Sequence, residues 1–353
     1  MNGPRTASGT RPWAPWVLIG AVLVFCVVAI LAIGVGAVRI PPASVVSILL
    51  GQAADGITDA QRVVVSTVRL PRVLLALMAG AGLACAGVMM QALFRNPLAD
   101  PALIGVSAGA ALGAVAVIVL GATLLQGASK AFGVWTLPLA AFGGALASAT
   151  VVFRLSTRDG VLDPTTMLLC GIAINALTGA GIGLLTYLAT DEQLRNLTFW
   201  SLGSLGAASW STLIGPAPAM LALAVCAPWI VHGLNALLLG ESEALHLGVD
   251  VERLKRVLIA LTAAAAGAVV AVTGVIGFVG LVAPHMARML VGPDHRWVLP
   301  LSALIGASVL TLGDLVARTA VRPAELPIGI LTAFVGAPFF LWLLRRRRPG
   351  GER

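Results

Sequence analysis

Charge is scarce in this 353-residue chain: Asp, Glu, Lys and Arg make up 11% of it, against about 25% in an ordinary soluble domain. It has two lysines, Lys130 and Lys255, and its aromatic content is 5%. So few charges cannot cover a soluble surface. A disordered chain is excluded as well, because 58% of the residues are hydrophobic. The four cysteines, Cys26, Cys85, Cys170 and Cys226, are too scattered for a metal motif or a disulfide scaffold. Each sits in an apolar run and reads as a small core residue. Neither lysine ends a phosphate-cradling Gly-rich loop. No H-E-x-x-H zinc helix occurs, and the Gly-x-Ser-x-Gly spelling at Gly105–Gly109 lies in an apolar run and is not read as a nucleophile elbow. The four histidines, His232, His246, His285 and His295, are dispersed and read as structural. An enzyme is not expected.

What is present is apolar length. Mean hydropathy is +0.97, and glycine reaches 40 residues, in keeping with membrane helices. The apolar runs are continuous and do not alternate, which argues against a β-barrel. A spanning helix needs about 20 apolar residues. Ten spans are expected near 17–38, 70–94, 101–121, 133–154, 165–189, 211–232, 256–275, 277–291, 298–317 and 327–344. Trp13 and Trp16 suit an interfacial belt, so the first run is expected to be retained rather than cleaved. Ten spans put both termini on one side. With the termini cytoplasmic, fifteen of the 23 Lys and Arg fall inside, including the run Arg345–Arg348. The eight outside are Arg39, Arg62, Arg69, Arg72, Lys130, Arg195, Arg318 and Arg322, an unusual excess. The net charge of +8 reads as this orientation signal, and no nucleic-acid partner is expected. No linker divides the chain. A tail at 1–16, a membrane domain at 17–345 and a basic tail at 346–353 are expected. No internal repeat is evident.

A multi-span chain without catalytic equipment points to transport. Asp314 alone lies well within a span. It stands four residues before Arg318 on the same helical face, which reads as a local ion pair. A nearly chargeless path argues for a partner that supplies energy over a proton- or ion-coupled carrier. The inside segment Leu239–Val249 is amphipathic and ends at a helix-stopping Gly248. A short helix there would offer Leu245, Leu247, Glu241 and Glu243 to a soluble partner. Gly105, Gly109 and Gly113 recur every four residues, the spacing of close helix packing.

Three sets of strings then coincide. Arg69-Leu70-Pro71-Arg72 runs into Gly80-Ala81-Gly82 and Gly87-Val88-Met89-Met90-Gln91. Asn96-Pro97-Leu98-Ala99-Asp100-Pro101 leads into Gly105-Val106-Ser107-Ala108-Gly109. Gly277-Phe278-Val279-Gly280-Leu281-Val282-Ala283-Pro284-His285 and Glu325-Leu326-Pro327-Ile328-Gly329 complete the set. Over about 55–345 the chain resembles the permease family of ATP-binding-cassette importers for iron-siderophores, haem and cobalamin. The resemblance implies an all-α, ten-span, type II importer permease that pairs with a second copy of itself. It implies two cytoplasmic ATPase subunits that use ATP, a periplasmic substrate-binding protein, a pathway at the dimer interface and no resident cofactor. It sets the chain in the bacterial inner membrane.

Residue by residue, Arg69, Arg72 and Arg318 match positions that receive acidic residues of the binding protein, which would account for the outer Arg excess. Glu241, Ala244, Leu245 and Gly248 fall in the family's coupling segment, about 237–252. Asn96 and Leu98 match a cytoplasmic gate, and the turn at Asp163 and Pro164 a second constriction. Family members can carry small hydroxyl residues at that turn, so this sequence departs there. Leu197–Gly206 is most similar to the haem branch, and Met89, Met90, Phe199 and Trp200 would line a soft apolar passage for haem.

Overall fold

The structure, a computed structural model, describes residues 11–36, 38–52, 57–321 and 323–346. Arg5, Arg322, Arg347, Arg348 and Arg353, and most of both expected tails, lie outside the described residues.

The chain is a helical bundle. Helix α1 (Ala14–Gly34) is followed by the short α2 (Pro42–Leu49) and α3 (Asp59–Val63), and a π-helical turn (Val64–Arg69) leads into α4 (Leu70–Leu93). A 3₁₀ turn (Pro101–Ile104) precedes α5 (Val106–Leu120), then α6 (Gln126–Phe132) and α7 (Thr136–Leu155). A two-stranded hairpin, β1 (Thr157–Arg158) and β2 (Val161–Leu162), leads to α8 (Pro164–Leu188). Its turn residues Asp159 and Gly160 both have positive φ, 52° and 81°, the geometry that suits an Asp-Gly hairpin. Next come α9 (Asp191–Ser201), α10 (Trp210–Ile214), α11 (Ala217–Leu237), α12 (Glu241–His246) and α13 (Val251–Thr273). The chain closes with α14 (Val279–Val291), α15 (His295–Ala320) and α16 (Ile328–Arg346).

Seven helical stretches are long and apolar enough to cross a membrane, and α5, α14 and α16 are shorter apolar helices. Together they sit at the ten expected places. Two of them are short for a span. Helix α5 starts only at Val106, because Gly105 adopts φ +79° and breaks the run after a 3₁₀ turn. Helix α14 has 13 residues, about 20 Å, against a hydrocarbon core of about 30 Å. Irregular backbone at such depth is tolerated where protein covers it, and Pro101 and Ile104 of the 3₁₀ turn are buried. The segment at 190–210 is also not a plain loop: Thr190 and Gln193 form a capping box that starts α9.

Helix α4 is the centre of the bundle, and glycine lets its neighbours approach. A Cβ on Gly80 would meet the backbone of Gly306 in α15, and one on Gly87 the backbone of Gly280 in α14. Gly109 and Gly113 of α5 lie in the same way against Gly144 and Ala140 of α7. The four-residue glycine spacing is therefore a helix-packing stripe. The cysteines need one correction. Cys85 is buried, whereas Cys26 is exposed on α1 and is not a core residue; α1 packs only one side of its apolar surface against protein.

Candidate functional site

Two charged clusters stand at opposite ends of the bundle. The first joins the beginning of α4 to the end of α15, at the end the charge asymmetry marks as outer. Arg72 Nε donates to both carboxylate oxygens of Asp314 at 3.0 Å, and Nη2 to Oδ1 at 2.8 Å. The other side of the guanidinium donates to Glu325 Oε1 at 3.0 Å and Oε2 at 2.8 Å. One planar cation thus holds two carboxylates bidentately, a geometry lysine cannot supply. Asp314 also lies 3.6 Å from Nε of Arg318, so the expected i,i+4 pair is present within a larger network. Glu325 sits outside the helices in the 321–327 segment. Its carboxyl is held below the ordinary glutamate range, first by the hydrogen bond from Arg72 and further by the charges of Arg72 and Arg318, against partial burial.

Arg69 donates to the carbonyls of Ile33, at 2.5 Å, Gly34, at 2.9 Å, and Val38. Arg318 donates to Ala32 O. Helix α1 has no basic residue in its own last turn. Its orphan carbonyls are capped instead by two arginines distant in sequence, which also complements the helix dipole. Arg69, Arg72 and Arg318 do not project into solvent: Arg69 and Arg72 are 5% and 9% exposed, and the Arg318 side chain 7%. Part of the outer Arg excess consists of helix caps and buried bridges. Glu325, 45% exposed at its side chain, is the member solvent reaches.

The second cluster is at the opposite end of the bundle. Lys255 on α13, 3% exposed, donates to Glu241 Oε2 at 2.9 Å and to Glu252 Oε1 at 3.0 Å. Glu252 accepts from the backbone N–H of Leu162 at 2.9 Å, so the hairpin is tied to the same cluster. Arg95 lies 3.8 Å from Glu241. Helix α12 is fixed to α13 and to the end of α4 through this one carboxylate. It ends in a Schellman motif: Gly248 has φ +82°, its N–H donates to Leu245 O at 2.9 Å, and the N–H of Val249 donates to Ala244 O at 3.0 Å.

Helix α12 splits the expected coupling residues. Leu245 is 60% exposed, as is Leu247, and Gly248 is exposed. Ala244 is 0% exposed and packs in the core, and Glu241 turns toward Lys255. Ala244 therefore offers no contact surface to a partner, because the amphipathic helix lays that face on the bundle.

The turn after α4 lies beside this cluster. Asn96 Oδ1 accepts from the N–H of Leu98 at 3.0 Å, and Arg95 is held at φ +46°. Asp100 Oδ1 accepts from Ala102 N–H at 2.9 Å, and burial pushes its carboxyl above the ordinary aspartate range. Asp163 is the N-cap of α8, accepting from the N–H groups of Thr165 and Thr166 at 3.0 Å, with Pro164 in the first turn. The Thr166 hydroxyl, then the backbone bonds, hold its carboxyl below the ordinary range. The departure from small hydroxyl residues thus supplies a rigid helix start. Met89 and Met90 are 0% exposed within the core; α4 is covered on every side at that depth, so neither faces a passage. Phe199 is 59% exposed, and Trp200 packs partly against the core. Glu325, Lys255 and Glu252 were not singled out from sequence. Glu325 had a signal in its Glu-Leu-Pro-Ile-Gly string; Lys255 stood out only as one of two lysines.

The profile of the FecCD transport family matches residues 22–346. The hemin transport system permease protein HmuU of Yersinia pestis is 45% identical over 281 residues, covering 80% of this chain and 83% of that protein. The cobalamin import system permease protein BtuC of Halobacterium salinarum is 42% identical over 293 residues, covering 83% of this chain and 76% of that one. The solved inward-facing structure of an ABC transporter assigned to the metal-chelate type superposes with a TM-score of 0.80 at 34% identity, covering 94% of this chain and 99% of the other.

Proposed function

This chain belongs to the FecCD transport family, and from that premise we propose that two copies of it form the membrane pathway of an ATP-driven importer of haem or a related iron chelate. It is a multi-pass ABC importer permease. In our reading both termini face the cytoplasm, two ATPase subunits bind there, and a substrate-binding protein docks on the opposite face. ATP is hydrolysed by the ATPase partner, and this chain holds no permanent cofactor.

The observation that carries the reading is α12. It exposes Leu245, Leu247 and Gly248 at the inner surface while its Glu241 is bonded to Lys255 beside the turn that follows α4. A partner pressing on that apolar edge would move a helix fixed to both the hairpin and the Asn96–Leu98 turn, which we take as the inner gate. Pairing of two copies is supported by α8, where Leu169, Ile172 and Leu177 are exposed and Gly179 and Gly183 have open space at small-xxx-small spacing. A gradient-driven carrier fits less well, since Asp314, a buried carboxylate within a spanning helix, is already paired with Arg72.

Haem is favoured as cargo by the likeness to HmuU and by the exposed aromatic Phe199 near the outer end. The similar identity to a cobalamin permease supports cobalamin as the second reading. For docking, we place the carboxylates of the binding protein at Arg72, in exchange for Glu325. Asp314 is too deep to be displaced.

Gly248→Pro tests the coupling role. Proline cannot adopt φ +82° and lacks the N–H that bonds Leu245. The variant is expected to insert and fold but to lose uptake and binding-protein-stimulated ATP hydrolysis together. Uptake at the unmodified rate would refute the role of α12.

A further inference from the structure

Helices α7 and α13 pack together but leave a groove between them of about 270 Å³. Its apolar walls include Leu146 and Phe153 of α7 and Ile259, Ala260 and Ala263 of α13. Two polar residues also line it, Thr150 and Arg256, both exposed. Steps of four and three residues put Leu146, Thr150 and Phe153 on one stripe of α7, and Arg256, Ala260 and Ala263 on one stripe of α13. Gly267 continues the α13 stripe, and there the groove closes: a Cβ on Gly267 would lie 3.0 Å from Ala145 Cβ and 3.5 Å from the Phe142 ring. From Ala263 to Arg256 the groove follows roughly 10 Å of helix, against about 15 Å for one leaflet of hydrocarbon.

The other end of the groove is basic. Arg154 follows Thr150 by four residues on α7, and Arg253 precedes Arg256 by three on α13, so both stripes run out into arginine. Arg154, Arg253 and Arg256 are all exposed, and none of them is in an ion pair among the described residues. Arg256 makes one side-chain bond, from Nε to the backbone oxygen of Glu252 at 3.2 Å. The carboxylates beside them in sequence are engaged elsewhere: Glu252 with Lys255 and the Leu162 N–H, and Asp250 with the Arg253 N–H as the cap of α13. Membrane orientation alone calls for arginines at a helix end. It does not call for an apolar groove leading from them into the bilayer.

We propose that this groove is a binding site for one anionic phospholipid, with an acyl chain between α7 and α13 and its phosphate on Arg154, Arg253 and Arg256. The groove lies within one leaflet in depth, and the cations stand where a headgroup would lie. Arginine's fork suits a phosphate bidentately. A zwitterionic lipid carries its own cation and would gain less there. In the orientation proposed above this is the cytoplasmic leaflet, the one that carries anionic lipid. The bound headgroup would stand beside the Lys255–Glu252 pair that holds the hairpin.

The test is native mass spectrometry of the full-length chain, delipidated in detergent and titrated with phosphatidylglycerol or with phosphatidylcholine of the same acyl chains. The expected result is one phosphatidylglycerol per chain, retained under activation that strips phosphatidylcholine. The double variant Arg154→Gln, Arg256→Gln is expected to lower phosphatidylglycerol affinity roughly thirtyfold. Ala260 is exposed, so Ala260→Trp fills the groove without touching a charge, and it is expected to lower retention of phosphatidylglycerol as well. Equal retention of both lipids by the unmodified chain, or retention of neither, would overturn the proposal. So would phosphatidylglycerol retention unchanged by Ala260→Trp, which decides the matter even if the charge variant fails to fold. The assay needs neither partner nor cargo, so its failure leaves the importer reading standing.

Discussion

Arg72 and Asp314, on different helices, meet through three hydrogen bonds at 2.8 to 3.0 Å, and the Asp314 side chain is 4% exposed. Breaking a buried pair from one side strands the other charge, at a cost on the order of 3 kcal/mol or more. Arg72→Ala is therefore expected to lower the thermal unfolding temperature of the purified chain sharply. Arg72→Ala with Asp314→Ala is expected to cost less than the sum of the single changes, because it removes both charges. Simple additivity in that double-mutant cycle would argue against the bridge.

Glu325 holds the exposed side of the same guanidinium. Its folded carboxyl lies below the ordinary glutamate range. A depressed folded value means that the contribution of the Arg72–Glu325 link is complete above the unfolded glutamate value of about 4.3 and is lost as pH falls through the folded one. The stability difference between the unmodified chain and Glu325→Gln is expected to be constant at neutral pH and to vanish only below about pH 4. In the docking reading, the same variant frees Arg72 and is expected to tighten binding of the substrate-binding protein. A weaker complex at neutral pH would show that Glu325 belongs to the docking surface itself.

At the other end of the bundle, Lys255 serves two carboxylates and is 3% exposed, while the Glu241 side chain is 40% exposed. Lys255→Met leaves Glu241 and Glu252 without their shared cation. It is expected to destabilise by about 3 kcal/mol, against about 1 kcal/mol or less for Glu241→Gln. Glu241→Gln is expected to act on function instead: more ATP hydrolysed per cargo molecule, because α12 is held less firmly to α13. An unchanged ratio would remove Glu241 from the coupling path.

The ten apolar stretches were legible because membrane helices are continuous runs, and the packing of α5 on α7 was legible in Gly105, Gly109 and Gly113. The stop at Gly248 was legible for a similar reason, since a positive φ favours glycine. What could not be read were relations across the chain. Arg69 and Arg318 cap α1 from 35 and 286 positions away, and no local period announces that. Ala244 sits inside and Leu245 outside because α12 lies on the bundle, a fact of tertiary packing. Met89 and Met90 looked like pathway residues by chemistry, but the position of α4 at the centre decides otherwise. The capping box at Thr190 and Gln193 was visible in the sequence and marks the helix in the outer segment.

The central claim is that this permease moves an iron chelate only when a partner hydrolyses ATP. The direct measurement is haem accumulation in liposomes containing this chain with its ATPase, the binding protein outside and ATP sealed within. The account predicts accumulation with ATP and none without it, whatever the proton gradient. Haem uptake that proceeds without ATP and follows an imposed proton gradient would contradict it.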